Sequence, residues 1–544
     1  MKRTTFWLIT VGAALLLVGD ADSCIAAENG GASGNPSADS FKQRRKEAAH
    51  RKRRIIFNND GDDIVYQCKA VTAEELLKAR TTALAGSQVD SIFYCTWSSG
   101  FGVFTHNTKV GQVFETREAP FTNNPTRAFL DAGIDPLRVM TEFGRKHGIE
   151  VFWSLRMNDT HDGSLTEYGP VMFNMNKLKV AHPEYLFGTP QQKPKYGAWS
   201  AVDFGRAEVR DLAFRYVEEV CRNYDVDGVE LDFFRHPIFF KHNAQGLPCD
   251  DEDRAQMTGL LQRIRAMCDD VGRRRGRPLL MAVRVPDSVE YSRAIGIDLE
   301  RWLADDLADL LVVTSYIQLN PWEYSVALGH KYGVPVYPSL DESRVRDEAA
   351  RGLRSSVEAY RARAMNVWAA GADGVYMFNF FNPRSPLWRE LGDPAALQRM
   401  NKDYFASVRG VGVAAGNSLP HQSFIHLATL NPGASLPLAP DKPATVKFSV
   451  GDDVRWGESK GVGADLTLRL QFKVLKQPAN AVVALNDVSL AGGAIAKDWL
   501  EFKLDAKLVK QGANVVTVTP APQDKGFLTD LHLTVRYKGA SPKP

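Results

Sequence analysis

The chain has 544 residues, 44% of them hydrophobic and 10% aromatic, with a formal net charge of +3. That length predicts two domains rather than one core, and that composition excludes a disordered or fibrous chain. The charge is uneven: residues 42–54 carry eight Lys/Arg against one Glu, so the rest is mildly acidic.

In chain order, Lys2 and Arg3, the apolar run Phe6–Val18 and the small residues Ala26 and Ala27 read as a signal peptide over 1–27. The expectation is export to the periplasm, the cell surface or beyond. The apolar run is shorter than the roughly 20 residues that span a bilayer, so no stable membrane insertion is expected. Residues 28–53 read as a flexible basic linker, rich first in Gly, Ser and Asn and then in Lys and Arg. The basic run reads as a solvated leader, and no nucleic-acid partner is expected. The six cysteines are scattered, with no CxxC pair, and form neither a disulfide framework nor a zinc site.

From Arg54 short apolar runs alternate with longer amphipathic stretches, eight times in all. The strands expected are 55–59, 91–97, 150–156, 228–233, 279–285, 310–317, 334–340 and 374–380. Helices are expected over 72–84, 136–147, 207–224, 252–274, 299–307, 323–332 and 357–370, the first opened by a Thr72/Glu75 capping box. Eight such units predict a (β/α)8 TIM barrel over 54–406. A doubly wound sheet is the alternative, but no Gly-rich phosphate fingerprint follows any strand. The long loop 161–203 carries Tyr168, Tyr185, Tyr196 and Trp199, suited to walling a sugar cleft. Beyond 407 the segments become short, β-rich and broken by Gly, Pro, Asn and Asp, which predicts an all-β sandwich over 407–544.

The richest stretch is Asp225–Pro237. Glu230 and Asp232, two apart on a strand, share one face, with Val229, Leu231 and Phe233 on the other. TIM-barrel sites lie at the C-terminal strand ends. Those ends carry Asp60, Asp62 and Asp63; Trp97; Arg156, Asn158 and His161; Arg235 and His236; Arg284 and Asp287; Ser315 and Tyr316; Asp341 and Glu342; and Asn379. Carboxylates, Arg, Asn and aromatics in one cleft suit glycoside hydrolysis, which needs two carboxyl groups flanking the scissile bond. The Asp60/Asp62/Asp63 cluster lacks full calcium-loop spacing, and hydroxyl binding or capping is expected of it. No metal or other cofactor is expected.

Residues 54–400 resemble the bacterial glycosyl hydrolase-like family 10 group of secreted TIM-barrel proteins. The resemblance rests on Asp227-Gly-Val-Glu-Leu-Asp-Phe-Phe-Arg-His-Pro and on the opening Ile55-Ile-Phe-Asn-Asn-Asp-Gly-Asp-Asp. It implies a glycoside hydrolase acting on a poly- or oligosaccharide. The same strand is similar to that of the α-amylase family, where Asp232 falls on the nucleophile and His236 on the following His, with Glu230 in place of an Arg. Against the chitinase pattern, Phe234 stands where the acid catalyst belongs. The resemblance thus implies Asp232 as nucleophile or base; the proton donor is then expected from another strand end, Asp341 or Glu342 first, and second Asp287, where the resemblance to the α-amylase family would put the acid. Glu230 would tune Asp232 or bind a hydroxyl. Segments 483–487 and 508–518 resemble galactose-binding-like jelly rolls. The competing readings are a non-catalytic carbohydrate-binding barrel and an envelope protein whose sandwich docks a partner; deacetylation is weaker, for want of metal ligands.

Overall fold

The structure, a computed structural model, describes residues 38–314, 316–409, 418–461 and 463–538. The expected signal peptide, residues 28–37 and Ser315 lie outside the described residues. Eight parallel strands close a barrel: β1 (Ile55–Asn59), β2 (Val89–Tyr94), β3 (Glu150–Arg156), β4 (Gly228–Asp232), β5 (Leu280–Val285), β6 (Leu310–Val313), β7 (Val336–Leu340) and β8 (Val375–Phe378). Each pairs with its sequence neighbours, and β8 returns to β1 with Ile55 opposite Val375. Among the described residues, no helix is long and apolar enough to cross a membrane.

Inward and outward side chains alternate along each strand. Ile56, Phe93, Phe152, Ala282, Val312, Tyr337, Tyr376 and Phe378 fill the barrel, while Val229, Leu231 and Phe233 pack outward on the helices. Glu230 and Asp232 accordingly both point inward. The register sets Arg156 beside Asp232 and Asp232 beside Arg284, so one interior layer near the C-terminal ends is charged.

The stretch 38–53 corrects the sequence reading: it is not a flexible linker. Helix α1 (Ala38–Ala49) docks across the N-terminal ends of the strands. Ala49 joins the barrel interior and Phe41 is buried. Arg45 pairs with Asp269, Asp306 and Asp309. Arg53 is sealed inside, donating to both oxygens of Glu150 at 2.7 and 3.0 Å and to the carbonyls of Ala48 and Ala49. Cations that look like a solvated run have partners contributed by the barrel. Phe41→Ala is expected to cost about 3 kcal/mol, read from the midpoint of chemical denaturation; no change would mean that the helix does not dock.

The second domain is a sandwich of antiparallel sheets. One holds β9 (Lys402–Phe405), β11 (Ala464–Lys473), β13 (Trp499–Leu504) and β15 (Gly526–Tyr537); the other holds β10 (Ala444–Val450), β12 (Val482–Leu485) and β14 (Gly512–Thr519). Along β10 buried and exposed residues alternate, as a strand with one face on a core requires. Because β9 pairs with β15, the sandwich begins near Asn401 and not at 407. Helix α2 (Val357–Ala369) of the barrel packs on it, with Ala362 inside the sandwich core. Two buried ion pairs hold this part of the molecule: Arg354 meets both oxygens of Asp530 at 2.7 and 2.8 Å, and Lys402 meets Asp452 at 3.0 Å.

Candidate active site at the C-terminal mouth of the barrel

The mouth is built first by backbone that ordinary residues avoid. Trp97, His236, Thr314 and Asn379, which follow β2, β4, β6 and β8, all have positive φ, at 89°, 58°, 63° and 52°. Left-handed backbone at non-glycine residues costs of order 1–3 kcal/mol each and gathers at functional sites. Gly61 completes the set after β1: its φ is +68°, and a Cβ there would lie 2.1 Å from the Cys95 carbonyl oxygen. Asn59 Oδ1 accepts the Gly61 N–H at 3.2 Å and fixes the turn that presents Asp60 and Asp62.

These two carboxyl groups sit in opposite environments. Asp60 pairs with Arg156 at 2.6 Å. With its amide oriented to satisfy both neighbours, Asn379 donates to Asp60 Oδ1 at 2.9 Å and accepts from the Tyr316 hydroxyl at 3.1 Å. Asp62 accepts the Ser98 hydroxyl at 2.9 Å and the Ser98 N–H at 3.2 Å. Burial, and then the charge of Asp60, push the Asp62 carboxyl up to about 7, against the pull of Arg80 and Arg156. Ser99 and Tyr66, through the Tyr168 hydroxyl, border the same edge.

Opposite lies a second chain of contacts. Asp159 accepts the Gly100 N–H at 2.9 Å and His161 Nδ1 at 2.9 Å, and Arg156 reaches it at 3.4 Å. Burial alone would raise Asp159; His161, His236 and Arg156 hold it well below the usual carboxylate range. His161 Nε2 accepts from Arg235 Nη2 at 3.0 Å. Burial, reinforced by the neighbouring Arg235 charge, pushes His236 well below the usual imidazole range, and its Nδ1 accepts the Thr160 N–H at 2.9 Å. Ligand atoms of Asp159, His161 and His236 lie within 4.8 Å of one another, as do those of His242, Cys249 and Asp253. In the first group both His161 nitrogens already have partners, Asp159 at Nδ1 and Arg235 at Nε2, so an ion there would have to break one of these bonds.

Several expected site residues are engaged by partners within the protein. Asp341, expected to donate a proton, is fully buried, and its Oδ1 pairs with both Arg363 and Arg409. Sealed from solvent, it ties the segment after β9 to the barrel. Glu342 is exposed and pairs with Arg344 at 3.0 Å. Asp232 is 1% exposed; one oxygen accepts the N–H groups of Phe234 and Arg235, and the other meets Arg284 at 3.2 Å. Glu230 lies in the barrel, bonded to Ser154 at 2.5 Å and Tyr376 at 2.8 Å, and burial followed by the Asp232 charge pushes it up to about 7. Asp287 accepts the Leu319 and Asn320 N–H groups, and burial pushes it up to about 6. Asn158 bonds the backbone of Val202 and Ile238, Asp63 bonds Asn59, and Trp97 stacks on Phe114. Apart from the exposed Glu342, these groups are buried and bonded within the protein. In the long loop, Trp199 packs on Phe173 and Tyr185 on His182, so of its four rings Tyr168 is the one bonded at the mouth.

The residues left at the mouth are Asp60, Asp62, Arg156, His161, Arg235, Tyr316 and Asn379, joined by Asp159, Ser98 and Arg344, which the sequence reading did not assign. A cavity of about 430 Å³ lies elsewhere, lined by barrel residues such as Trp322 and sandwich residues such as Phe448, and holds none of the mouth carboxylates. The mouth is favoured because acid–base chemistry needs those groups.

No family model matches the chain. A 163-residue segment is 28% identical to "Glycosyl hydrolase YngK" of Bacillus subtilis (strain 168), and this match spans 28% of each chain. Among solved structures, a glycoside hydrolase family 18 N-acetylglucosaminidase from Paenibacillus barengoltzii is 13% identical, with a TM-score of 0.36, over 63% of this chain and 98% of its own. The PgaB (BpsB) glycoside hydrolase domain from Bordetella bronchiseptica is 11% identical, with a TM-score of 0.39, over the same shares. Similarity at that level decides neither family nor activity.

Proposed function

We propose that the barrel hydrolyses glycosidic bonds in a poly- or oligosaccharide, with Asp62 as proton donor and the Arg156-paired Asp60 as its partner carboxyl group. The observation that carries this reading is the pair itself: Asp60 neutralised by Arg156, Asp62 pushed up to about 7 beside it. Glycoside hydrolysis needs a proton donor and a second carboxyl group beside it. The proton of Asp62 passes to the glycosidic oxygen as the bond to the anomeric carbon breaks. Asp60 stabilises the positive charge that grows there, water supplies the new hydroxyl, and its proton restores a carboxyl group. The name of the Bacillus subtilis relative supports the same class. The charged and apolar pattern of residues 1–27 supports export, which would give access to glycans outside the cell.

The test is product release. The purified protein is incubated with a panel of soluble glycans, and products are identified by mass spectrometry, with an Asp60→Asn/Asp62→Asn double variant as control. New sugar ends from the wild type alone are the expected result. Saturable glycan binding without product would return the site to a carbohydrate-binding barrel. Release of acetate instead of sugar would make it a deacetylase.

A further inference from the structure

Arg235 differs from the other guanidinium groups of the mouth. Arg156 pairs with Asp60 and Asp159, Arg284 with Asp232, and Arg344 with Glu342. Among the described residues no carboxylate pairs with Arg235. Its side chain meets His161 Nε2 at 3.0 Å and the Tyr316 ring at 5.1 Å, and its Nε is buried without a partner. Arg344 reaches the same ring at 3.8 Å, and its Nε is also buried and unpaired. Two like charges therefore share one phenol ring, and the chain supplies a counter-ion to only one of them.

Arg235 is partly exposed at the mouth, its Nε is buried without a bond, and no described carboxylate bonds its fork, so it has donor capacity to offer a partner from outside. The surroundings hold Arg235 in place for that partner. Asp159 fixes the His161 ring through Nδ1, leaving Nε2 to accept from Arg235. Tyr316 is bonded through its hydroxyl to Asn379, which bonds Asp60. An anion bound at Arg235 would thus sit one ring and one amide away from the carboxyl pair. A guanidinium offers Nε and Nη hydrogens in a planar fork that matches a carboxylate.

We propose that the substrate is an acidic saccharide, and that Arg235 binds the carboxylate of a uronate residue next to the bond that is cleaved. This rests on the glycosidase reading and names the substrate class for it. His161 and Asp159 are positioning residues for Arg235. Tyr316 supplies the platform, and Arg344 adds positive potential.

The experiment uses the full chain and a panel of uronate-containing oligosaccharides, each paired with its carboxyl-reduced neutral counterpart, with sulfated oligosaccharides as a third arm. Binding is measured by calorimetry and cleavage by product release, for the wild type, Arg235→Gln and Arg235→Lys. The wild type is expected to bind at least one uronate form about tenfold or more tightly than its reduced counterpart, as a charge-assisted pair allows. Arg235→Gln is expected to bring the two within about twofold, at a melting temperature little changed, because the charge removed is partly exposed and bonded to no carboxylate among the described residues. Arg235→Lys should keep part of the preference. Equal binding of both forms, a preference that survives Arg235→Gln, a preference for the sulfated arm, or binding to none of the pairs would each overturn the proposal. Uronate preference without product would leave it standing and remove the glycosidase reading. Cleavage of neutral glycans alone would do the reverse.

Discussion

Asp62→Asn is expected to lower kcat by about 10²–10⁴-fold with little change in KM, the usual range for loss of a positioned acid. The substitution keeps the shape and leaves an acceptor for the Ser98 hydroxyl, but it removes the proton that the leaving oxygen needs. The pH profile is the sharper readout. An acid must be protonated to act, so wild-type activity falls as pH rises through about 7, where burial and Asp60 have placed the Asp62 carboxyl. The variant should lose that limb. Stability moves in the same direction. A carboxyl raised in the folded state binds more protons folded than unfolded between about pH 4 and 7, so stability declines as pH climbs through that window. Asp62→Asn removes the penalty and should be more stable than the wild type at pH 8, by about 1–3 kcal/mol after allowance for partial exposure. A variant with wild-type turnover, or with an unshifted alkaline limb, would sink the assignment of Asp62.

The second large effect lies far from the mouth. Arg354→Met is expected to cost about 3–5 kcal/mol, because it leaves the Asp530 carboxylate buried without its partner. Both oxygens of Asp530 now meet Arg354, and the arginine Nε holds the Ser407 carbonyl at 2.8 Å. Burial already raises the Asp530 carboxyl, with Arg354 pulling it back. In the variant it should rise further, so the deficit is largest at neutral pH and shrinks as pH falls toward about 4, where unfolded carboxylates also protonate. Arg354→Met/Asp530→Leu should recover most of the loss. Guanidinium denaturation at pH 4.5 and 7.5 checks both points, and a cost below 1 kcal/mol at pH 7.5 would count against the pair.

Much of the fold was legible because its signals are local. The helix over Pro136–His147 announces itself through Asp135, whose side chain accepts from Leu137 and Arg138, and through Gly148 in the left-handed conformation. The inward pairing of Glu230 and Asp232 follows from a period of two. Where the sequence is silent, the bonded partner lies far along the chain. Asp341 is claimed by Arg409, and Asp232 by Arg284, and spacing reveals neither. Helix α1 looked solvated because its acidic partners, Asp269, Asp306 and Asp309, belong to the far side of the barrel sequence. Asp159 had a local signal, a carboxylate two residues before His161, and deserved more weight than Asn158. The unpaired state of Arg235 has no signature in sequence at all.

The seat of α1 gives the molecule a polarity. His50 bonds the Gly333 carbonyl and Arg51 the Gly148 carbonyl, both in turns that lead into strands, so the helix covers the pole opposite the carboxyl pair. The described chain therefore enters the barrel from its rear, and the carboxyl pair opens at the opposite pole, clear of that helix.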